Sequence, residues 1–169
     1  LACLIVTWPT KGGSSFSVMA FTDGFSFFIT LTVFLILIMT IMISINYQKF
    51  FSRINCGEYY ALILFAACGM TLMAAGGNLI LIFVALETMS VCIYALAGFH
   101  KDQLRSTESA LKYFLLGAFA SGFLLYGFAL IYGATGTLDI ATLGNFLTSH
   151  PQILHSKLLF AGLIMMTVG

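Results

Sequence analysis

The sequence contains few charged residues. Among its 169 residues, 7 are Lys or Arg and 6 are Asp or Glu, so 8% are charged, against about 25% in soluble domains. Such a chain cannot cover a water-facing surface with polar groups, and its 60% share of hydrophobic residues indicates an integral membrane protein. The net charge of +1 without a basic cluster excludes the electrostatic pattern of a nucleic-acid-binding protein.

Motifs for metals, phosphates and secretion are also lacking. No glycine-rich phosphate loop is present, and no basic segment precedes the apolar N-terminal run, as a cleavable secretory signal requires. His150 and His155 flank Pro151 and give no defined metal geometry. The cysteines form no CxxC or Cys/His pair and are interpreted as small buried hydrophobic residues: Cys3, Cys56, Cys68 and Cys92. We therefore expect no metal and no cofactor in this chain.

Long runs without charged residues predict the membrane helices. A helix needs about 20 apolar residues to cross a bilayer core of about 30 Å. The run 59–99 is interrupted only by Glu87 and is about twice as long as one crossing requires, so we place a turn at Gly76-Gly77-Asn78. One membrane domain with four complete and two partial spans is expected: 24–47, 59–76, 79–99 and 106–133, with partial spans at 1–8 and 157–169.

The residue pattern inside these runs decides the fold class. Closed β-barrels, the other architecture that a bilayer allows, require alternation of apolar and polar residues. The run FLILIMTIMI at 34–43 shows no alternation. We predict an all-α integral membrane protein, a polytopic bundle of transmembrane helices in which Gly136 ends the span 106–133. Both ends of the chain lie inside apolar runs and the first residue is Leu1, so we expect a fragment of a longer protein.

Basic residues are concentrated in two predicted loops. Loops 49–57 and 100–108 each carry one lysine and one arginine, whereas loops 9–23 and 134–157 each carry one lysine. Two spans separate the two more basic loops, so both lie on the same side of the membrane. The positive-inside rule assigns that side to the cytoplasm.

Glu87 is the only charged residue inside the run 59–99. It follows Asn78 by nine residues, about 13 Å along a helix, which is close to the membrane centre. A charge there costs about 2.5–3.5 kcal/mol, so the carboxyl must be protonated, paired or beside a hydrated cavity. Glu87 is thus a candidate proton carrier, although a neutral glutamate that serves packing is the alternative. Ser90 and Tyr94 follow at i+3 and i+7 on nearly the same face. Their hydroxyls either hold ordered water beside the carboxylate or form hydrogen bonds within the helix bundle.

Lys112 is the second charged residue within a predicted span. The helices of Glu87 and Lys112 are joined by a short loop and are expected to be neighbours, so one hypothesis is that the two side chains form the ion pair of a proton relay. The alternative is that Lys112 extends back to the cytoplasmic interface. Glu108 lies one turn earlier, where it either accepts a hydrogen bond from Lys112 or acts as a favourable charge at the helix N-terminus.

Two blocks of the chain resemble a known family. They are GEYYALILFAACGMTLMAAGGNLILIFVALETMSVCIYALAGFHKD (57–102) and STESALKYFLLGAFASGFLLYGFALIYGATGTLDI (106–140), about half of the chain. Both resemble the subunit N family of the bacterial proton-pumping NADH:quinone oxidoreductase, whose mitochondrial equivalent is subunit 2 of complex I. The motifs ALETMS and ESALKYFLLGA at this spacing are specific to that family.

The resemblance implies an antiporter-like subunit of fourteen helices. Such a subunit lies beside its paralogues in the membrane arm of the complex, in the bacterial inner membrane or, less in keeping with the LYGFALIYGATG form, the mitochondrial one. In that family the glutamate of ALETMS, here Glu87, is the fifth-helix carboxylate of the proton path, and the lysine of ALKYFLLG, here Lys112, is the sixth-helix lysine that modulates it. Leu1 then falls within the second helix, and the four complete spans are helices three to six.

The resemblance places the redox chemistry in other subunits. NADH, FMN, iron–sulfur clusters and quinone are expected in partner subunits, and this chain is expected to contribute proton translocation to the enzyme complex. A further family lysine follows a stretch like AGLIMMTVG and would come after Gly169. Two alternatives stay open: a subunit of a related cation/proton antiporter or membrane-bound hydrogenase, or a structural membrane scaffold in which Glu87 and Lys112 only hold helices together.

Overall fold

The computed structural model describes residues 13–15, 19–49 and 56–169. Most of them form six α-helices: α1 Gly24–Lys49, α2 Cys56–Ala74, α3 Leu79–Ala97, α4 Leu104–Thr135, α5 Ile140–Ser149 and α6 Lys157–Val168. Two short antiparallel strands, β1 Gly13–Ser15 and β2 Ala20–Thr22, precede α1. A 3-10 helix, Pro151–His155, precedes α6. The predicted partial span 1–8 and the position of Arg53 lie outside the described residues.

Four of the described helices, α1 to α4, are long and apolar enough to cross a membrane, and α6 is a shorter apolar helix. Their outer faces carry large apolar side chains, for example Ile43, which is 72% exposed, and Phe119, which is 68% exposed. A surface of this kind is stable only against lipid or other apolar helices. The predicted all-α bundle of membrane helices is therefore confirmed.

The ends of α4 show why it is longer than its predicted span of 106–133. At its start the helix includes Leu104 and Arg105, which the predicted span left out because it was chosen for its apolar residues. At its other end Gly136 adopts a left-handed conformation with φ of 72°, and its N–H donates to the carbonyl of Tyr132 at 2.7 Å. Glycine reaches this conformation without the strain of a Cβ. The predicted stop at Gly136 is confirmed.

Backbone hydrogen bonds join three connecting segments at one end of the bundle. The segments are 19–22, the turn 75–78 and 136–140, and we call this group the outer junction. Its bonds are Phe21 N–H to Ala75 O, Gly77 N–H to Met19 O, Leu79 N–H to Leu138 O and Ile140 N–H to Gly77 O. A Cβ on Gly77 would meet the ring of Phe21, so only glycine allows this close approach.

The opposite end of the bundle contains the α3–α4 connection. The rings of Tyr59 and Phe99 meet edge to face, with their centroids 5.3 Å apart, so the start of α2 lies beside the end of α3. The hydroxyl of Ser106 donates to the carbonyl of Ala97 at 2.7 Å and closes the connection. Segments that the charge pattern predicts on opposite sides of the membrane therefore lie at opposite ends of the described bundle.

Predicted loops 9–23 and 134–157 contain regular structure that the sequence analysis missed. The strands pair with each other, and α5 with its ten residues is too short to produce a membrane signal. Asp139 is the N-cap of α5, because its carboxylate accepts hydrogen bonds from the Thr142 hydroxyl at 2.6 Å and the Thr142 N–H at 2.8 Å. These bonds hold the pKa of the Asp139 carboxyl below its usual value, the hydroxyl contributing more than the N–H.

We expect the outer junction to face away from the cytoplasm. In a variant of the complete protein without its native cysteines, a membrane-impermeant maleimide should label Gln103→Cys only from the cytoplasmic side. Thr148→Cys, at the other end of the bundle, should be labelled only from the opposite side. Labelling of Gln103→Cys from the non-cytoplasmic side alone would reverse the orientation, because the basic loop that contains it would then lie outside.

Candidate functional site

Close backbone packing sets α3 against α2. A Cβ on Gly69 would lie 2.7 Å from the carbonyl oxygen of Ala85 and 2.8 Å from the nitrogen of Met89, so only a glycine lets these two helices approach so closely. Ala85 is fully buried in this contact. Glu87 lies about 200° around the helix from Ala85, because successive residues are about 100° apart. The α2 contact therefore directs Glu87 to another side of α3.

The side of α3 that carries Glu87 borders α4. Phe83 meets Phe128 edge to face at 6.3 Å between centroids, and Tyr94 meets Tyr113 in the same way at 5.1 Å. The hydroxyl of Tyr94 lies against Gly117, where any Cβ would overlap it. We call this boundary between the two helices the α3–α4 seam. Phe83, Glu87 and Tyr94 lie within about 40° of each other around α3, so Glu87 is on the helix face that borders this seam.

The contacts along the seam give the register of the two antiparallel helices. Phe83 is opposite Phe128, and a Cβ on Gly98 would lie 2.8 Å from the Cβ of Ala110. Between these contacts, Glu87 is level with residues 121–124 of α4. Lys112 is nine to twelve residues away from that level, which corresponds to about 14–18 Å along the helix axis. The two charged residues are on neighbouring helices but at different depths.

Lys112 pairs with Glu108 and not with Glu87. Its Nζ lies 2.5 Å from Oε1 of Glu108, and the two side chains are 75% and 55% exposed. Exposed pairs at this spacing stabilise a helix by about 0.3–0.5 kcal/mol. The lysine turns toward the start of α4, as expected for extension to the interface, and Glu108 accepts its hydrogen bond, the first of the two alternatives for this residue. The direct Glu87–Lys112 pair is absent from the structure, because register separates them.

Glu87 also borders an open apolar groove beside α3. The groove has a volume of about 410 Å³ and is lined, besides Glu87, by Phe65, Phe83, Val84, Thr88, Val91 and Cys92. The hydroxyl of Thr88 already donates to the carbonyl of Val84 at 2.7 Å. The groove therefore offers the carboxyl no free hydroxyl donor from its own walls.

Three half-buried polar groups of α3 have no partner among the described residues. Neither the Glu87 carboxyl, the Ser90 hydroxyl nor the Tyr94 hydroxyl forms a hydrogen bond or ion pair within 13–15, 19–49 and 56–169. Other hydroxyls of the bundle, such as that of Thr88, bond back to their own helix. The three groups lie within an arc of about 60° on α3. Half-buried polar groups without protein partners are the places where ordered water binds.

The structure places Tyr94 between the two charged residues. Its ring contacts Tyr113, and its hydroxyl lies against Gly117, between the levels of Lys112 and Glu87 on α4. The sequence analysis missed the role of Tyr113, because its contact with Tyr94 depends on register, for which no residue pattern gives a signal. No group of three or more His, Cys, Asp or Glu that could hold a metal ion occurs among the described residues.

Comparison with known families identifies the family of this chain. The family model described as NADH:quinone oxidoreductase/Mrp antiporter, TM, matches residues 76–169, which is more than half of the chain and includes Glu87 and Lys112. The chain belongs to this family.

Relatives within the family carry the subunit name that the two sequence blocks suggest. NADH-quinone oxidoreductase subunit N of Trichlorobacter lovleyi is 44% identical over 96% of this chain and 33% of the relative. The subunit N of Salinibacter ruber is 46% identical over 83% of this chain and 28% of the relative. The resemblance to subunit N is confirmed, and the chain spans about a third of the length of these relatives.

Solved structures show the same fold. Respiratory complex I from Thermus thermophilus with bound aureothin contains a chain that is 35% identical, with a TM-score of 0.71 over 99% of this chain and 34% of the other. A chain of the archaeal membrane-bound sulfane sulfur reductase is 29% identical, with a TM-score of 0.69 over 84% of this chain and 28% of the other. Antiporter-like membrane domains of this kind therefore occur in more than one respiratory membrane complex.

Proposed function

We propose that this chain is part of a proton-translocating membrane-arm subunit of an NADH:quinone oxidoreductase, respiratory complex I, in a bacterial inner membrane. The observation that carries the proposal is a row of three half-buried polar groups on the face of α3 that borders the α3–α4 seam, Glu87, Ser90 and Tyr94, which have no partners among the described residues. The proposed partners of this chain are other membrane-arm subunits, including antiporter-like paralogues. NADH, FMN, iron–sulfur clusters and quinone bind to partner subunits, and the redox chemistry takes place there.

The proposed path enters at the end of α4 that carries Lys112 and Glu108. Both side chains are exposed and form an ion pair there. Protonation of Glu108 therefore weakens its ion pair with Lys112. In this path, water bound at the Tyr94 hydroxyl links this end to the interior, because that hydroxyl has no partner in the part of the chain that the structure describes. From Tyr94 to Glu87 is seven residues, about 10 Å along α3, and Ser90 lies between them.

Glu87 is the proposed proton-carrying group at the inner end of the path. An ionised carboxylate at this depth costs about 2.5–3.5 kcal/mol, so its charge is favourable only while water or a cation is beside it. Hydration of the seam and protonation of the carboxyl are therefore coupled. That coupling is what a translocating site needs, since it lets a change elsewhere in the complex move a proton here. Glu87→Gln, measured as protons translocated per NADH oxidised, tests this function.

A second candidate function is the same task in a different complex. The likeness to a chain of the archaeal sulfane sulfur reductase favours it, because that complex contains the same fold without being complex I. The path within the chain would be unchanged, and only the electron donor and acceptor in the partner subunits would differ. NADH-driven translocation by the purified complex separates the two candidates.

Tyr94→Phe is expected to slow proton translocation several-fold while the complex assembles normally. The substitution keeps the ring that packs against Tyr113 and Gly117 and removes only the hydroxyl that binds water. The measurement is the initial rate of NADH-driven acidification in proteoliposomes. Tyr126→Phe is the matched control, because Tyr126 lies on α4 and is 57% exposed. Equal rates in the two variants would remove Tyr94 from the path.

A further inference from the structure

Helix α5 has one apolar edge and one polar edge. Successive residues of an α-helix are about 100° apart, which places Ile140, Leu143, Phe146 and Leu147 together on one side. Thr142, Asn145, Thr148 and Ser149 occupy the other side. The polar residues are exposed and Leu143, Phe146 and Leu147 are half-buried, while Ile140 is 44% exposed. The helix contains no buried residue.

The spanning helices on either side fix the level of α5. The last charged residue of α4 is Lys112, and the 23 residues from 113 to 135 carry no charge, which corresponds to about 34 Å of helix. A bilayer core is about 30 Å thick, so α4 ends at the core boundary. A Cβ on Gly133 would lie 3.3 Å from Cδ2 of Leu158, so α6 begins at the same level. The chain between them therefore lies at the membrane surface.

A hydrogen bond to another segment holds the N-terminus of α5 at this level. The Asp139 carboxylate caps it, and the N–H of Ile140 donates to the carbonyl of Gly77 in the outer junction at 3.0 Å. At the other end the ring of His150 stacks on Phe146, with centroids 4.8 Å apart. The N-terminus of α5 is thus attached to the outer junction.

We propose that α5 is an interfacial helix whose apolar edge inserts into the lipid bilayer on the side of the outer junction. Helices of this kind lie in the plane of the interface with the apolar face about 5–10 Å into the boundary between headgroups and acyl chains. Many interfacial helices add lysine or arginine to attract anionic lipid, but Ile140–Ser149 carries no charge at all. Contact with lipid therefore depends on apolar burial and is independent of headgroup charge.

The same observations favour the bilayer over water and over a partner protein as the surroundings of the apolar edge of α5. Ile140 and the exposed parts of the half-buried Leu143, Phe146 and Leu147 would contact water in the absence of a bilayer, whereas the position of α5 beside the core boundary brings them against acyl chains without any movement of α4 or α6. The polar edge consists of uncharged hydroxyl and amide groups, which suit the headgroup region. No cationic or anionic group is present on α5 to pair with a partner chain.

Spin labels on the two edges test the proposal. In the assembled complex without native cysteines, reconstituted in phosphatidylcholine bilayers, Leu143→Cys and Leu147→Cys carry labels on the apolar edge. Asn145→Cys and Thr148→Cys are the matched controls on the polar edge. Collision rates are measured with oxygen, which concentrates in acyl chains, and with a water-soluble nickel chelate.

Labels on the apolar edge should collide several-fold more with oxygen than with the nickel chelate, and labels on the polar edge should show the opposite ratio. Added anionic phosphatidylglycerol should leave both ratios unchanged. Apolar-edge labels that are shielded from both reagents would show that a protein covers this edge, and the proposal would be wrong. Equal access of the nickel chelate to both edges would place α5 in water and would also overturn it.

Discussion

Glu87→Gln is expected to abolish most NADH-driven proton translocation through this subunit while NADH oxidation continues. Glutamine has almost the same size as glutamate and keeps hydrogen-bonding capacity, but its amide cannot take up and release a proton. Glu87 is half-buried and has no partner in the described chain, so packing around it should tolerate the amide. The measurement is the number of protons translocated per NADH oxidised by the assembled complex in proteoliposomes.

Glu58→Gln provides the matched control. It makes the same chemical change in the first turn of α2, at the end of the bundle that carries the α3–α4 connection. We expect its ratio of protons to NADH to be native. If Glu87→Gln also assembled and pumped at the native ratio, Glu87 would be a packing residue, and the structural scaffold considered from the sequence would become the better interpretation.

The sequence was sufficient to find Glu87 because its signal is local. A single charge inside an apolar run carries a large free-energy cost, so its presence alone indicates a special environment. The turn between α2 and α3 and the stop at Gly136 are local in the same sense. Excess length requires a turn, and a glycine in the left-handed conformation ends a helix. Such features follow from composition along the chain and need no knowledge of packing.

The relation between Glu87 and Lys112 could not be predicted in the same way. The short α3–α4 loop indicates that the two helices are neighbours, but it does not say which residues are level. That register depends on side-chain contacts, such as the Tyr94 ring against Gly117, in which a missing Cβ leaves space for a ring from another helix. Ser121, four residues further along α4, instead donates its hydroxyl to Ala118 O within the helix.

The position of Lys112 changes the expected role of the lysine. If Lys112 formed an ion pair directly with Glu87, the charge of the lysine would control the protonation of the Glu87 carboxyl itself. In the structure the lysine is held at the exposed end of the seam by Glu108, about 14–18 Å along the axis from the level of Glu87. In the proposed path, the lysine acts on Glu87 through the Tyr94 hydroxyl and the water proposed beside it. Because the proposed path between Lys112 and Glu87 does not consist of one direct contact, we expect loss of the Tyr94 hydroxyl to slow translocation and not to abolish it.

Gly127→Leu is expected to prevent stable assembly of the subunit. Gly127 is buried where α4 crosses α6, and a Cβ there would lie 2.9 Å from the carbonyl oxygen of Gly162 and 2.9 Å from the nitrogen of Met166. Both atoms belong to backbone and cannot rotate away, so the helices would have to separate. In a membrane, helices associate through close packing rather than through hydrophobic burial, and extra volume in a tight contact costs about 1–3 kcal/mol or more.

Gly122→Leu is the matched control for this prediction, because it lies five residues earlier on the same helix and a Cβ there meets no atom of the described residues within 4 Å. Both substitutions gain about 1 kcal/mol in helix propensity, so their difference isolates the packing at Gly162. The measurement is the amount of assembled complex extracted in mild detergent and its midpoint of thermal unfolding. Gly122→Leu should be native in both, and Gly127→Leu should be depleted and unfold at lower temperature. Equal amounts and equal midpoints would mean that α4 and α6 do not depend on this contact, and the level assigned to the start of α6 would have to be revised.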